Sequence, residues 1–147
     1  MKHKFYIIIA ALLSVFALSS CRKEESKKTI VDGEWHMVVA EGATEDVYLS
    51  FCEGVFIIYQ KTGDLERHYT FNGTYTVQSG VLSGVYSDGT PFGSEYEAKV
   101  SGGKLTLKAL NGSEETVTYK KEAVPAEVKA NAVPHVKAAV HIVIPVL

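Results

Sequence analysis

Between Gly33 and Ala123 the chain is cut into short β-rich runs by turn residues, and that punctuation limits what it can fold into. Glu53-Gly54, Ser79-Gly80, Gly102-Gly103 and Asn111-Gly112 each stand between two runs, and Asn-Gly is the strongest hairpin dipeptide among them. Within the runs the period is two. Trp35, Met37 and Val39 alternate with His36 and Val38, and Tyr96, Ala98 and Val100 alternate with Glu95, Glu97 and Lys99. Leu105 and Leu107 alternate with Thr106 and Lys108, and Val117 and Tyr119 with Thr116, Thr118 and Lys120. Such alternation puts one strand face on a core and the other in water. Phe56-Ile57-Ile58-Tyr59 is apolar on both faces, so it predicts a strand covered on both sides. No helical period competes here. Regularly spaced short strands predict an all-β sandwich or barrel.

The strand count rests on one dipeptide. If Asn72-Gly73 is a turn between Arg67–Phe71 and Thr74–Gln78, there are nine strands. If Gly73 is a bulge inside one long strand, there are eight. An antiparallel up-and-down barrel closes with an even number, because its first and last strands must also pair antiparallel. Eight is therefore preferred.

At 147 residues the chain has room for one domain with a core of its own. Its 15 Lys+Arg against 17 Asp+Glu exclude the basic stripe of a nucleic-acid binder. Its 46% hydrophobic content excludes a disordered chain, but that content is unevenly spread. Residues 5–18 and 133–147 are greasy ends around a polar middle. Residues 33–123 carry 7 basic and 13 acidic side chains, a net −6 that the whole-chain balance hides. An acidic body should avoid phosphate-rich surfaces.

The N-terminal end reads as an address. Lys2 and Lys4 precede an apolar run from Phe5 to Leu18, too short to span a bilayer but shaped like a secretory signal. It ends in Leu18-Ser19-Ser20-Cys21, which resembles the bacterial lipobox. That resemblance implies cleavage after Ser20 and lipid attachment at Cys21, with two or more acyl chains needed for a stable anchor. Arg22-Lys23-Glu24-Glu25 resembles the signal that sends Bacteroidetes-type lipoproteins to the outer face of the outer membrane, and it also suits a plain charged linker. The expected organisation is a signal peptide (1–20), a lipidated tether (21–32), a barrel (33–123), and a short helix with an apolar tail (124–147). With Cys21 lipidated, Cys52 stands alone and is expected to be a buried, inert thiol.

Gly33-Glu34-Trp35, opening the first strand, resembles the Gly-x-Trp signature of lipocalins. Phe71-Asn72-Gly73-Thr74-Tyr75, Gly84-Val85-Tyr86-Ser87-Asp88-Gly89, Leu105-Thr106-Leu107 and the closing Tyr119-Lys120-Lys121 are similar, in that order, to the lipocalin-like domains of bacterial lipoproteins. The resemblance covers about Val31 to Pro125. It implies an eight-stranded antiparallel up-and-down lipocalin-like (calycin) barrel and, in true lipocalins, a small apolar ligand held inside. The long C-terminal helix and later signatures of classical members are absent. Eight strands enclose an interior that side chains just fill, or that holds one small ligand. If Trp35 points inward, Trp35, Met37, Tyr75, Tyr96, Leu107 and Tyr119 are the candidate ligand-lining residues. With Val39, Val77, Ala98, Leu105 and Val117 on the same faces, their bulk favours a packed barrel with a shallow opening at one end.

Nothing in the sequence points to catalysis, a cofactor or a metal. His36, His68, His135 and His141 share no ligand spacing, and Glu95 with Glu97 fits the wet side of a strand better than a carboxylate pair. Pro125 to Ala132 suits a short helix ended by Pro134. The tail from His135 to Leu147 is apolar but broken by Pro145; it either packs over a barrel mouth or groove or serves as a docking strand. Two readings of function remain. One is a lipid-anchored, cell-surface outer-membrane lipoprotein whose barrel takes a small apolar or amphipathic ligand. The other is a filled, non-catalytic barrel that presents loops 41–46, 61–66 and 87–94 to an envelope protein or glycan.

Overall fold

The computed structural model describes residues 28–135 and 146–147. Eight strands run in sequence: β1 (Gly33–Met37), β2 (Asp46–Cys52), β3 (Val55–Lys61), β4 (Tyr69–Gln78), β5 (Val81–Tyr86), β6 (Tyr96–Ser101), β7 (Lys104–Ala109) and β8 (Thr116–Lys121). Each pairs antiparallel with the next, β8 pairs with β1, and the cylinder is closed. The protein is an eight-stranded antiparallel up-and-down barrel, as the sequence predicts. A helix, α1 (Ala126–Asn131), and a two-residue strand, β9 (Val133–Pro134), follow it.

The turns explain the register. Glu53 and Gly54 have φ of 50° and 81°, Ser79 and Gly80 of 51° and 77°. Two left-handed residues in succession make the tight turn whose twist matches that of the flanking strands. Asn111-Gly112 behaves otherwise. It lies inside a longer β7–β8 loop closed by the Ala109 N–H donating to Glu115 O at 2.8 Å, while Asn111 Oδ1 accepts from the Ser113 N–H. The asparagine side chain organises that loop locally rather than making a two-residue hairpin.

Gly73 lies inside one unbroken strand. It faces Phe56 on β3 and Tyr86 on β5 together, and a Cβ there would sit 2.0 Å from the main-chain oxygen of Val85. Backbone passes so close that only hydrogen fits, and this lets β4 leave β3 and run on along β5. Along the first half of β4, β9 adds parallel at Tyr69 and Thr70.

Inward faces follow the period of two. Trp35, Leu49, Phe51, Phe56, Ile58, Leu82, Leu105, Leu107 and Tyr119 are all essentially inaccessible and form one continuous core. Outside, Tyr48 and Tyr59 are buried under Val124 and Val128 of the α1 segment, so β3 is covered on both faces as expected. Glu34 fastens that segment: its carboxylate accepts from the Val124 N–H at 2.8 Å and from Lys129 Nζ at 2.6 Å.

Candidate functional site: the barrel mouth

The two ends of the cylinder differ. Val31 is fully buried at one end, and the Trp35 indole N–H donates to its carbonyl at 2.7 Å. Beside it the Tyr75 hydroxyl donates to Asp32, which also accepts from Thr29. Burial, reinforced by that carboxylate, pushes the Tyr75 phenol up to about 12. Lys121 Nζ lies 5.8 Å from the Trp35 ring centre and covers the indole. This end is a floor, and residues 29–32 of the expected tether belong to it.

The opposite end is built differently. Met37, Leu65, Tyr69, Tyr96 and Val117 are half-buried there, each packed against the core. Gln60 is a buried polar side chain on the inward face of β3, in line with Phe56 and Ile58. Its Oε1 accepts the Val146 N–H at 3.1 Å. Tyr86, inward on β5, donates its hydroxyl to the main-chain oxygen of Leu147 at 2.5 Å. Leu147 is itself buried in the core. His135 stacks on Phe71 with ring centres 4.8 Å apart. The end of the tail therefore seats in the mouth, the first of the two arrangements its sequence suggests.

Polar groups continue below the mouth. Burial holds the Tyr86 and Tyr119 phenols far above the ordinary tyrosine range, and Tyr96 is raised by burial and then by Glu115. The Tyr119 hydroxyl has no hydrogen-bond partner among the described residues. A buried hydroxyl gains most from an incoming polar atom, because it has already lost water.

The six candidate lining residues divide accordingly. Trp35, Tyr75, Leu107 and Tyr119 lie within the packed core, Trp35 and Tyr75 at the floor, while Met37 and Tyr96 stand at the mouth. Sequence reasoning passed over Gln60, Tyr86 and Leu147. For Gln60 the signal was present, a polar residue two positions beyond Ile58 and four beyond Phe56 on an inward face. For Leu147 there was none, because strand periodicity says nothing about where a tail returns.

A concavity of about 420 Å³, away from the mouth, is open to solvent on β4 and β5 beneath the β5–β6 connection, with Thr74, Thr76, Ser83, Ser94 and Glu95 in its lining. There the wall is thin. β5 and β6 pair only at Val81↔Glu97 and Leu82↔Tyr96, and the 87–95 segment folds back along β5. Phe92 fills the gap, its ring within 5.0 Å of Phe56 and 5.4 Å of Tyr86, centre to centre. Of the expected loops, 87–94 is therefore partly core. Glu97 pairs with Lys99 at 3.0 Å on the wet face, with Glu95 apart from it in the groove.

A polar cluster near the mouth ties the end of β1, the start of β2 and the residue before β4 together. Asp46 bridges two imidazoles, at 2.7 Å to His36 Nε2 and 2.9 Å to His68 Nε2, and Tyr48 stacks on His36. Among the described residues no group of three or more His, Cys, Asp or Glu side chains converges to hold a metal ion. Cys52 corrects an expectation: it is half-buried at the end of β2 and disulfide-bonded, not a free buried thiol. The chain's other cysteine, Cys21, lies outside the described residues, as do the signal peptide and the Arg22-Lys23-Glu24-Glu25 motif. No protein-family model, curated protein or solved structure matches the chain.

Proposed function

We propose that this protein is a lipid-anchored envelope lipoprotein that binds one small apolar or amphipathic ligand at the mouth of its barrel. The observation that carries the binding half is the asymmetry of the two ends. One is sealed by Val31, Trp35 and Tyr75, while the other has an apolar rim over the inward polar groups of Gln60 and Tyr86. An apolar enclosure with few convergent polar groups is the usual form of a small-ligand site. The groups present bind and orient; they offer hydrogen bonds rather than a nucleophile with its base. A fluorescent fatty-acid analogue titrated onto the full chain tests this. One bound molecule per chain, lost on Met37→Asp with the barrel intact, is the expected result. No saturable binding overturns it.

The anchor half rests on the Leu18-Ser19-Ser20-Cys21 pattern. Cys21→Ser is expected to move the protein from the membrane fraction to the soluble one and to abolish palmitate labelling. The anchored form requires the Cys52 disulfide to run to another chain, because a thioether on Cys21 excludes a Cys21–Cys52 disulfide. An intact mass showing that link and no acyl chain overturns the anchor.

The filled-barrel reading keeps one observation in its favour, the continuous packing of Trp35, Phe51, Phe56, Phe92 and Tyr119 through the interior. Under it the barrel is a scaffold for the 41–46 and 61–66 loops. Retention of an envelope protein or glycan by a chain that binds no acyl probe supports it.

A further inference from the structure

The mouth is occupied by the chain itself, and the way it is occupied defines a ligand class. Val146 and Leu147 present two main-chain groups and one buried apolar side chain. Gln60 Oε1 accepts the N–H of Val146, and the Tyr86 hydroxyl donates to the main-chain oxygen of Leu147. An acceptor and a donor placed to take an N–H and the next residue's oxygen read a peptide backbone, whatever its side chains. The half-buried Leu65 and Tyr69 beside the buried Phe71 supply the apolar wall. A simple acyl chain would fill that wall and satisfy Tyr86 while offering Gln60 no N–H.

We infer that the mouth is a seat for a short apolar peptide segment, held here by Val146–Leu147 and exchangeable with the same kind of segment supplied in trans. This rests on the reading of the mouth as the binding site and narrows its ligand to a peptide. Among the described residues the end of the tail is held by two hydrogen bonds, the buried Leu147 and the half-buried Val146, whereas the neighbouring β3 and β4 are paired residue by residue, and this difference makes exchange feasible. A tail joined to the barrel competes at an effective concentration in the millimolar range, so a free peptide sees a weakened site until the tail is removed from it.

The test uses the full chain and an N-terminally fluorescein-labelled peptide of residues 142–147, Ile-Val-Ile-Pro-Val-Leu, read by anisotropy. Leu147→Asp puts a carboxylate in an apolar seat and so vacates it; Leu147→Ala is the milder companion if the first variant loses its β-sheet circular dichroism. Peptide affinity is expected to rise about tenfold or more in either variant relative to the unaltered chain. Adding Tyr86→Phe is expected to lower it again about three- to tenfold, the effect of one hydrogen bond. In the unaltered chain the Val146 amide should exchange with solvent well before the amides of β2 and β3. Equal peptide affinity in all variants overturns the inference, as does a Val146 amide that exchanges only on global unfolding. A chain that binds dodecanoate but no peptide overturns it too and leaves the acyl-ligand reading standing. Loss of both sinks the site.

Discussion

Phe92 and Gly84 form a knob and hole whose coupling can be measured. A Cβ added at Gly84 would lie 2.4 to 2.9 Å from three atoms of the Phe92 ring and meets nothing nearer. The ring cannot swing aside cheaply, because Phe56, Tyr86 and Tyr96 surround it edge-on and the residue is only 7% exposed. Gly84→Ala therefore forces overpacking that costs about 2 kcal/mol, from which the smaller unfolded-state gain of losing a glycine, about 0.5 kcal/mol, is subtracted. Phe92→Ala alone empties an aromatic site and costs about 3 to 4 kcal/mol. Combined, the new methyl group enters space the ring has left, so Gly84→Ala becomes neutral or slightly stabilising in the Phe92→Ala background. The double-mutant cycle should then give a coupling of about 1.5 to 2 kcal/mol. Urea unfolding followed by circular dichroism gives all four stabilities, provided the transition slope is common to them. If Gly84→Ala costs the same with and without Phe92, the ring does not plug the β5–β6 wall and the packing argument fails.

Gly73→Ala should be harsher than Gly84→Ala, at about 3 kcal/mol or more, because the clash is with the main-chain oxygen of Val85 and no side-chain truncation relieves it. A loss under 1 kcal/mol in the same urea assay would contradict the close approach of β4 and β5. Alkaline pH should unfold the barrel. Tyr48, Tyr59, Tyr75, Tyr86, Tyr96 and Tyr119 all have phenols raised chiefly by burial, Tyr75 to about 12, so their contribution is complete below pH 10 and falls as pH rises from 10 towards 12. Tyrosinate absorbance and loss of β-sheet dichroism should coincide in that window; ionisation near pH 10 with the fold intact would refute it. Asp46→Ala removes the carboxylate that bridges His36 and His68 and should lower stability by about 1 to 3 kcal/mol, read from the urea midpoint. An unchanged midpoint would mean that the bridge holds nothing.

Much of this fold is written locally. The inward set Trp35, Met37, Tyr75, Tyr96, Leu107 and Tyr119 follows from alternation once Trp35 is taken to point inward, as the resemblance of Gly33-Glu34-Trp35 to the Gly-x-Trp signature implies, and a one-residue slip would turn every one of them outward. Gly73 needed the topological argument that a closed antiparallel barrel has an even number of strands. What alternation could not give were contacts made by segments without a period. Phe92 sits in a stretch that reads as loop, yet its ring completes the core. Asp46 meets His36 and His68 only because β1, β2 and the start of β4 come together at one end. The mouth itself was legible only as a question of bulk, because the residue that fills it arrives from the far end of the chain.

The floor has one more consequence. Residues 29–32 are built into the sealed end, so the described part of the chain begins at the floor. Six residues separate Cys21 from Lys28, and the seven Cα-to-Cα steps between them reach about 25 Å fully extended, little more than the roughly 20 Å height of a six-residue strand. A leash that short cannot pass round the barrel and turn it over. A chain held by its Cys21 end would therefore stand on its floor, with the mouth and the Val146–Leu147 plug facing away from the surface that carries it. It would meet its ligand from the solvent side and not from the bilayer.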